Sequence, residues 1–461
     1  MPMKIYTDGF FSIDPIHGFL PIEEPLLRLP ERYQPLQHLI DEMPIQKADG
    51  QAGLLANENH FEEVARKLPN YKDQVEKEKD PFVWAALFRT YSFISSAYTL
   101  APAHHRYLKT GKYGTANGVL PKNIAQPFVQ IAEKLDVFPW LDYHYAYSLG
   151  NYSKRDKQAG FEWTNLAMAA KFSGMDDERG FIMLHVDINQ YSPDLVKAVF
   201  AIAQAETPPT ELTDALSLMG DSLHKMNARR KLMWEASRWK HYNDFRVFIM
   251  GIKGNTDIFP DGLRYEGVWD EPKAYRGQTG AQDNIIPTAD IASGVIHYYP
   301  NNQLTQYLMD LRQYRPKCVQ AFFNELAEKM QKNPLVQQLE KTENYKGMQE
   351  LMRVYEEIYR FRNGHWQFVQ KYIMQNTVYP KATGGTPITS WIPNQIKAVL
   401  KAMKVLSLAL EKDPQWDSES WQETYERKVS LLNKQLALVA VEAFDPQAVF
   451  ELNKIHGEQD F

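Results

Sequence analysis

The sequence predicts an all-α fold, and three observations carry that expectation. Apolar residues recur at spacings of three and four, as in Val83, Ala86, Leu87, Tyr91 and Ile94, which is the periodicity of one helix face. The strand–helix–strand rhythm of a parallel sheet is missing, and no segment repeats internally. Most of the periodic segments are bounded by Pro, Gly, Asn or Asp, the residues that start and stop helices.

Taken in order, the chain begins with a Pro-rich, non-helical stretch from Asp14 to Arg32, followed by the periodic segment around Val83–Ile94. Helices are predicted over Asn123–Leu135, Pro193–Gln204, Glu211–Ser237, Leu304–Arg312, Gly347–Met374 and Pro393–Glu411. The Gly-rich stretch Asp261–Asp283 and the TGGT stretch around Thr383 read as loops. A chain of 461 residues exceeds one typical domain, so two domains in intimate contact are expected. The charged run SKRDKQAG marks the division. The expected units are a small helical domain over 1–157, a larger helical bundle over 158–412, and a helical extension over 413–461. The extension contains the amphipathic segment Trp416–Ala443.

Composition narrows the function class. Hydrophobic residues make up 44% and charged residues 24%, the balance of an ordinary globular protein. A net charge of −5 without a basic block offers no footprint for nucleic acid or an anionic membrane, so a small-molecule partner is expected. Cys318 is the single cysteine, which excludes an intrachain disulfide and a multi-cysteine metal site and fits a reducing cytoplasm. The N-terminal residues lack the pattern of a signal peptide, and no apolar run is long enough to span a bilayer. Monomer and homo-oligomer both stay open.

With no nucleotide fingerprint and no nucleophile elbow, chemistry falls to the 12 histidines, the acids and a few arginines. His365 stands out in LMRVYEEIYRFRNGHWQFVQKYI, where Ile358, Phe361, Phe368, Val369 and Tyr372 share its helical stripe. An imidazole aimed at an apolar interior is either a core histidine with a satisfied hydrogen bond or the axial ligand of a haem iron.

The segment FRNGHWQFVQKYI is similar to the proximal-histidine helix of the indoleamine 2,3-dioxygenases. Further stretches resemble that family in the same order: GVLPKNIAQPFVQIAEKL, YHYAYSLGNY, ERGFIMLH, FRVFIMGIKGN, DGLRYEGVWDEPKAYRGQTGAQ, YLMDLRQYRP and ATGGTPITSW. With these as its landmarks, the resemblance extends over most of residues 10–395, leaving the closing helices after Pro393 outside.

The resemblance implies haem b held by His365, dioxygen as co-substrate, and insertion of O2 across the C2=C3 bond of tryptophan or a related indole. The product would be of the N-formylkynurenine type, as in tryptophan catabolism. It places Asp290 on the proximal side, near the imidazole or a neighbour of it. Arg246 matches the arginine that binds the substrate carboxylate, whose planar fork suits two-point contact, with an internal ion pair as the plainer role. Thr383, Gly384, Gly385 and Thr386 match the family's mobile loop. Phe181 matches an aromatic that packs on the indole, and His185 follows one helical turn later.

Several positions depart from the animal enzymes. His185 stands near a serine of theirs, whereas the related tryptophan 2,3-dioxygenases use a distal histidine toward the indole N–H. His185 is therefore expected either to accept from that N–H or to donate a proton toward oxygen. His241 and Tyr242 replace paired phenylalanines, Thr279 replaces a serine, Arg276 adds a charge, and Tyr147 with His144 nearby replaces a smaller lining residue. Such changes redirect specificity. Three rivals remain at this stage: haem-dependent monooxygenation or rearrangement of a substituted indole, a non-enzymatic haem binder, and a helical interaction protein whose histidines are all structural.

Overall fold

The structure, a computed structural model, describes residues 2–204, 207–301, 303–376 and 388–442. These are mostly helical, and their six short strands pair only two at a time, so the all-α expectation holds. The TGGT stretch at Thr383–Thr386 lies outside the described residues.

The helix Pro81–Thr110 is the pillar of the N-terminal half. Asp80 starts it by accepting from Phe82 N at 2.8 Å, Pro81 sits where no amide donor is required, and Gly111 ends it at φ 73°. Nearly all of residues 83–105 are buried. They pack against the helix Lys122–Leu135 and the turns Tyr143–Tyr147 and Val247–Ile249.

In the C-terminal half the helix Tyr345–Val369 lies between Pro209–Arg230 and Ile388–Leu410. Asn344 caps it, accepting from Gly347 N at 2.9 Å. The helix Asp176–Asn189 packs against Pro209–Arg230 and closes the same layer. The last helix, Ser418–Glu442, docks on Ile388–Leu410.

Two predicted helices are interrupted. The segment expected to run from Glu211 to Ser237 ends at Arg230 and resumes only as Met233–Ala236. The Tyr372 hydroxyl donates to the carbonyls of Met233 and Ser237, while the Ala236 carbonyl presses so close to Gly180 that a Cβ there would lie 1.7 Å from it. Carbonyls turned outward in this way leave the helical ladder. The segment expected to reach Met374 widens after Val369 into a π-helical turn, Gln370–Met374, and this turn delivers Tyr372 to those carbonyls.

The charged run near residues 154–160 forms the tip of a small hairpin, in which Tyr152–Lys154 pairs with Leu166–Met168. Gly251 and Gly277, from two of the family-like stretches, touch backbone to backbone. A Cβ on Gly251 would meet the Gly277 nitrogen at 2.0 Å, so only glycine lets these loops join.

Asp142 holds the turn that follows Lys122–Leu135. Its carboxylate accepts from the backbone nitrogens of Ala146 at 2.8 Å and of His144 and Tyr145 at 3.2 Å each. Burial nevertheless pushes the carboxyl up to about 7, because desolvation outweighs those three bonds. A carboxyl that binds its proton more tightly in the folded chain contributes stability below its ordinary range, and loses that contribution as pH rises to the folded value. Wild type is therefore expected to lose stability between pH 3.8 and about 7 relative to Asp142→Asn. Urea midpoints of both proteins across that range check the difference, and parallel curves would contradict it.

Candidate functional site

The apolar stripe of Tyr345–Val369 faces a cavity, and His365 is on its wall together with Phe361, Phe368 and Val369. The atom-free space there amounts to ≈ 1210 Å³, including the part that opens to solvent. A second arm of ≈ 740 Å³ continues past His365, Phe361 and Gly280 toward Asp290, Tyr299 and Arg312. Burial lowers the His365 imidazole to about 4, with the Arg230 cation and His185 adding to the effect. The ring is thus neutral at physiological pH, the form that ligates metal.

Two arginines brace this wall. Arg362, one turn before His365, bonds the Asp290 carboxylate, the Gln395 carbonyl at 3.0 Å and the Tyr299 hydroxyl at 3.0 Å. Asp290 thus meets Arg362 and Tyr299, groups neighbouring the imidazole. Its carboxyl is raised by burial, against the pull of Arg362. Arg230 lies flat on the helix at Gly364, its guanidinium 5.7 Å from the Phe361 ring centre and 5.5 Å from that of Phe368. Its hydrogen bonds, to Asn227 Oδ1 at 3.3 Å and the Arg360 carbonyl at 3.4 Å, are long, and burial lowers it to about 10.

The facing wall comes from Asp176–Asn189. Phe181 and His185, one turn apart, both line the cavity, and Phe181 packs at 5.2 Å on Tyr242, which lines it too. Thr279 and Gln278 close another side, Thr279 capping the short turn Gly280–Gln282 through a capping box. His185 Nδ1 is 3.2 Å from the Tyr143 hydroxyl, which donates to Asp283 Oδ2 at 2.7 Å.

Three expected site residues sit elsewhere, and a fourth, Arg246, is buried behind the Tyr242 side of the wall. His144 is fully buried, with Nε2 3.1 Å from Asn284 Oδ1, and burial lowers it to about 3. Tyr147 is buried among Phe93 and Phe172. The Asp142-capped turn aims Tyr143 at the cavity wall and carries His144 and Tyr147 away from it. His241 turns toward Asp244, with Nδ1 3.0 Å from its carboxylate, on a partly exposed surface. Arg246 is fully buried behind Tyr242, where its charge opposes the burial that raises the phenols of Tyr113 and Tyr242. Arg276, the added charge, is paired with Asp310 at the protein's edge.

A sequence model described as indoleamine 2,3-dioxygenase matches residues 8–404. The chain belongs to the indoleamine 2,3-dioxygenase family. Indoleamine 2,3-dioxygenase 1 of Rattus norvegicus is 29% identical over 211 residues, covering 45% of this chain and 51% of that protein. The match thus spans about half the length of the rat protein. The Mus musculus counterpart is 26% identical across 67% of this chain and 71% of its own, and an indoleamine 2,3-dioxygenase of Aspergillus candidus is 25% identical across 66% and 74%. The family match continues past Pro393 into the helix Ile388–Leu410, farther than the resemblance read from motifs.

Members of the indoleamine 2,3-dioxygenase family are haem-dependent oxidoreductases, and the cavity fits that cofactor. No group of three or more His, Cys, Asp or Glu that could hold a bare metal ion occurs among the described residues, and a single axial imidazole such as His365 suits an iron already held by a macrocycle. Phe361, Ile392 and Phe368 would supply apolar contact to such a group, and Arg230 and Arg312 would supply cations for its carboxylates. Arg230, Tyr143 and Asp283 escaped the sequence reading. Gly364 was the available signal for Arg230, since a Cβ there would lie 2.1 Å from its guanidinium.

Gly364→Ala is accordingly expected to cost about 1–3 kcal/mol through overpacking. Urea unfolding should show a smaller loss when the same change is made in an Arg230→Ala background. An equal loss in both backgrounds would mean that the two residues are not in contact.

Proposed function

We propose that the chain is a dioxygenase that inserts both atoms of O2 across the C2=C3 bond of tryptophan or a related indole, yielding an N-formylkynurenine-type product. The observation that carries this reading is the placement of a neutral imidazole, His365, and a second histidine, His185, on the walls of one cavity with Phe181 beside the second. His365 would hold the haem iron, with Asp290 acting on the proximal side through Arg362. The cofactor supplies oxygen activation.

The chain's own residues supply placement. Phe181 and Tyr242 form an aromatic wall against which an indole can lie flat. His185 is one turn from Phe181 and meets the indole N–H. The substrate carboxylate is assigned to Arg246, buried against Tyr242, together with the Thr383–Thr386 stretch. Thr279 and Gln278 bound the slot and keep water from the reacting face. A substrate held at both its carboxylate and its ring nitrogen presents the C2=C3 edge in one orientation, which is where the rate gain from positioning arises.

Incubating the reduced, haem-loaded protein with L-tryptophan and simple indoles should give N-formylkynurenine-type absorbance, and labelled dioxygen should place two atoms in the product. A single incorporated atom would favour monooxygenation instead, and no product from any indole would count against the reading. His365→Ala should lose the Soret band. Arg246→Ala should keep it while weakening tryptophan binding by at least about tenfold, the value of a charge-assisted hydrogen bond. Haem retention by His365→Ala would remove the ligand assignment.

A further inference from the structure

Hydrogen-bond directions around His185 fix which of its ring nitrogens carries the proton. Asp283 is surrounded by donors: Oδ1 accepts from Ile285 N at 2.8 Å, and Oδ2 accepts from Asn189 Nδ2 at 2.9 Å and from the Tyr143 hydroxyl at 2.7 Å. A carboxyl with three donors aimed at its two oxygens is satisfied as the ionised acceptor. Tyr143 has one hydroxyl hydrogen, and Asp283 takes it. The contact of 3.2 Å between the Tyr143 oxygen and His185 Nδ1 can then be a hydrogen bond only if Nδ1–H is the donor.

We infer that Tyr143 and Asp283 are positioning residues that hold His185 in the Nδ1–H tautomer, leaving Nε2 as a bare acceptor facing the cavity. The pieces come from three parts of the chain, and each is anchored independently. Tyr143 is fully buried on the turn capped by Asp142. Asn189, one turn after His185, also donates to the His185 carbonyl at 2.8 Å, which locks its amide toward Asp283. Arg315 bonds the Asp283 carbonyl at 3.0 Å and fixes the loop. Nε2 makes no hydrogen bond with any described residue. Burial lowers the imidazole's proton affinity, against the pull of the Asp283 charge, so the ring is neutral.

An acceptor at Nε2 recognises a hydrogen-bond donor. Resting on the proposed function, that donor is the ring N–H of the indole, and the alternative role for His185 as resting-state proton donor is excluded. The site then discriminates against indoles alkylated at nitrogen, because an unmet acceptor on this wall and a methyl group pushed against it both cost binding.

The test uses the ferrous carbonyl holoprotein, which is diamagnetic, labelled with 15N at histidine. Long-range proton–nitrogen NMR shows which ring nitrogen is protonated, and His185→Gln identifies the His185 signals by their disappearance. Wild type is expected to show the Nδ1–H pattern, and a wild-type Nε2–H pattern overturns the inference. Tyr143→Phe and, separately, Asp283→Asn are expected to shift His185 toward Nε2–H. An unchanged tautomer in both variants also overturns it, and either one suffices if the other fails to fold. Binding is read in parallel: wild type should prefer L-tryptophan over its 1-methyl derivative by about tenfold, and Tyr143→Phe should lose most of that preference. An Nδ1–H wild type that binds no indole would uphold the tautomer while removing the dioxygenase reading, so the two can fail separately.

Discussion

The cavity of the C-terminal half is built around one imidazole, His365, presented on its wall by an otherwise apolar helical stripe. His365 is lowered to about 4 mainly by desolvation, and that desolvation exists because the rest of its helical stripe is Phe, Val and Ile. A helix end that moved would flood the site and return the ring to its ordinary affinity. The braces are therefore polar and lie within a turn of it: Arg362 on Asp290 and Tyr299, and Arg230 pressed on Gly364. Buried charges of this kind stabilise little beyond apolar packing, yet breaking one leaves the other stranded, so they act as registration pins for the helix.

The facing wall obeys the same rule with different groups. Tyr143 and Asn189 both donate to Asp283, and His185 lies against that network through the Tyr143 hydroxyl. The polarity of this pocket, compared with the paired phenylalanines and serine of the animal enzymes, is thus not spread evenly. His185 and Tyr242 face the ligand space, whereas His144, Tyr147 and His241 are spent on the core and the surface. Fewer of the substituted positions line the cavity than the substitutions alone suggest.

Much of the architecture was legible because helical periodicity is local. The pillar Pro81–Thr110 and the His365 helix follow from spacing and caps, and of the predicted stripe Phe361, Phe368, Val369 and Tyr372 line the cavity while Ile358 is buried in the core. The interruptions at Arg230 and Val369 were not legible. They arise from Tyr372 reaching the carbonyls of Met233 and Ser237, partners more than a hundred residues away. In the YHYAY turn, adjacent aromatics look equivalent in sequence, and only the Asp142 cap decides that Tyr143 points at His185 while Tyr147 does not.

The sequence by itself determined the helical class, the family and the identity of the wall histidines, since these rest on residue types and spacings within single segments. Tertiary structure decided which acid reaches Arg362, that Arg230 belongs to the cavity, and that Tyr143 and Asp283 meet beside His185. Those are matters of direction between distant segments, and a hydrogen bond has a donor end that no linear spacing records.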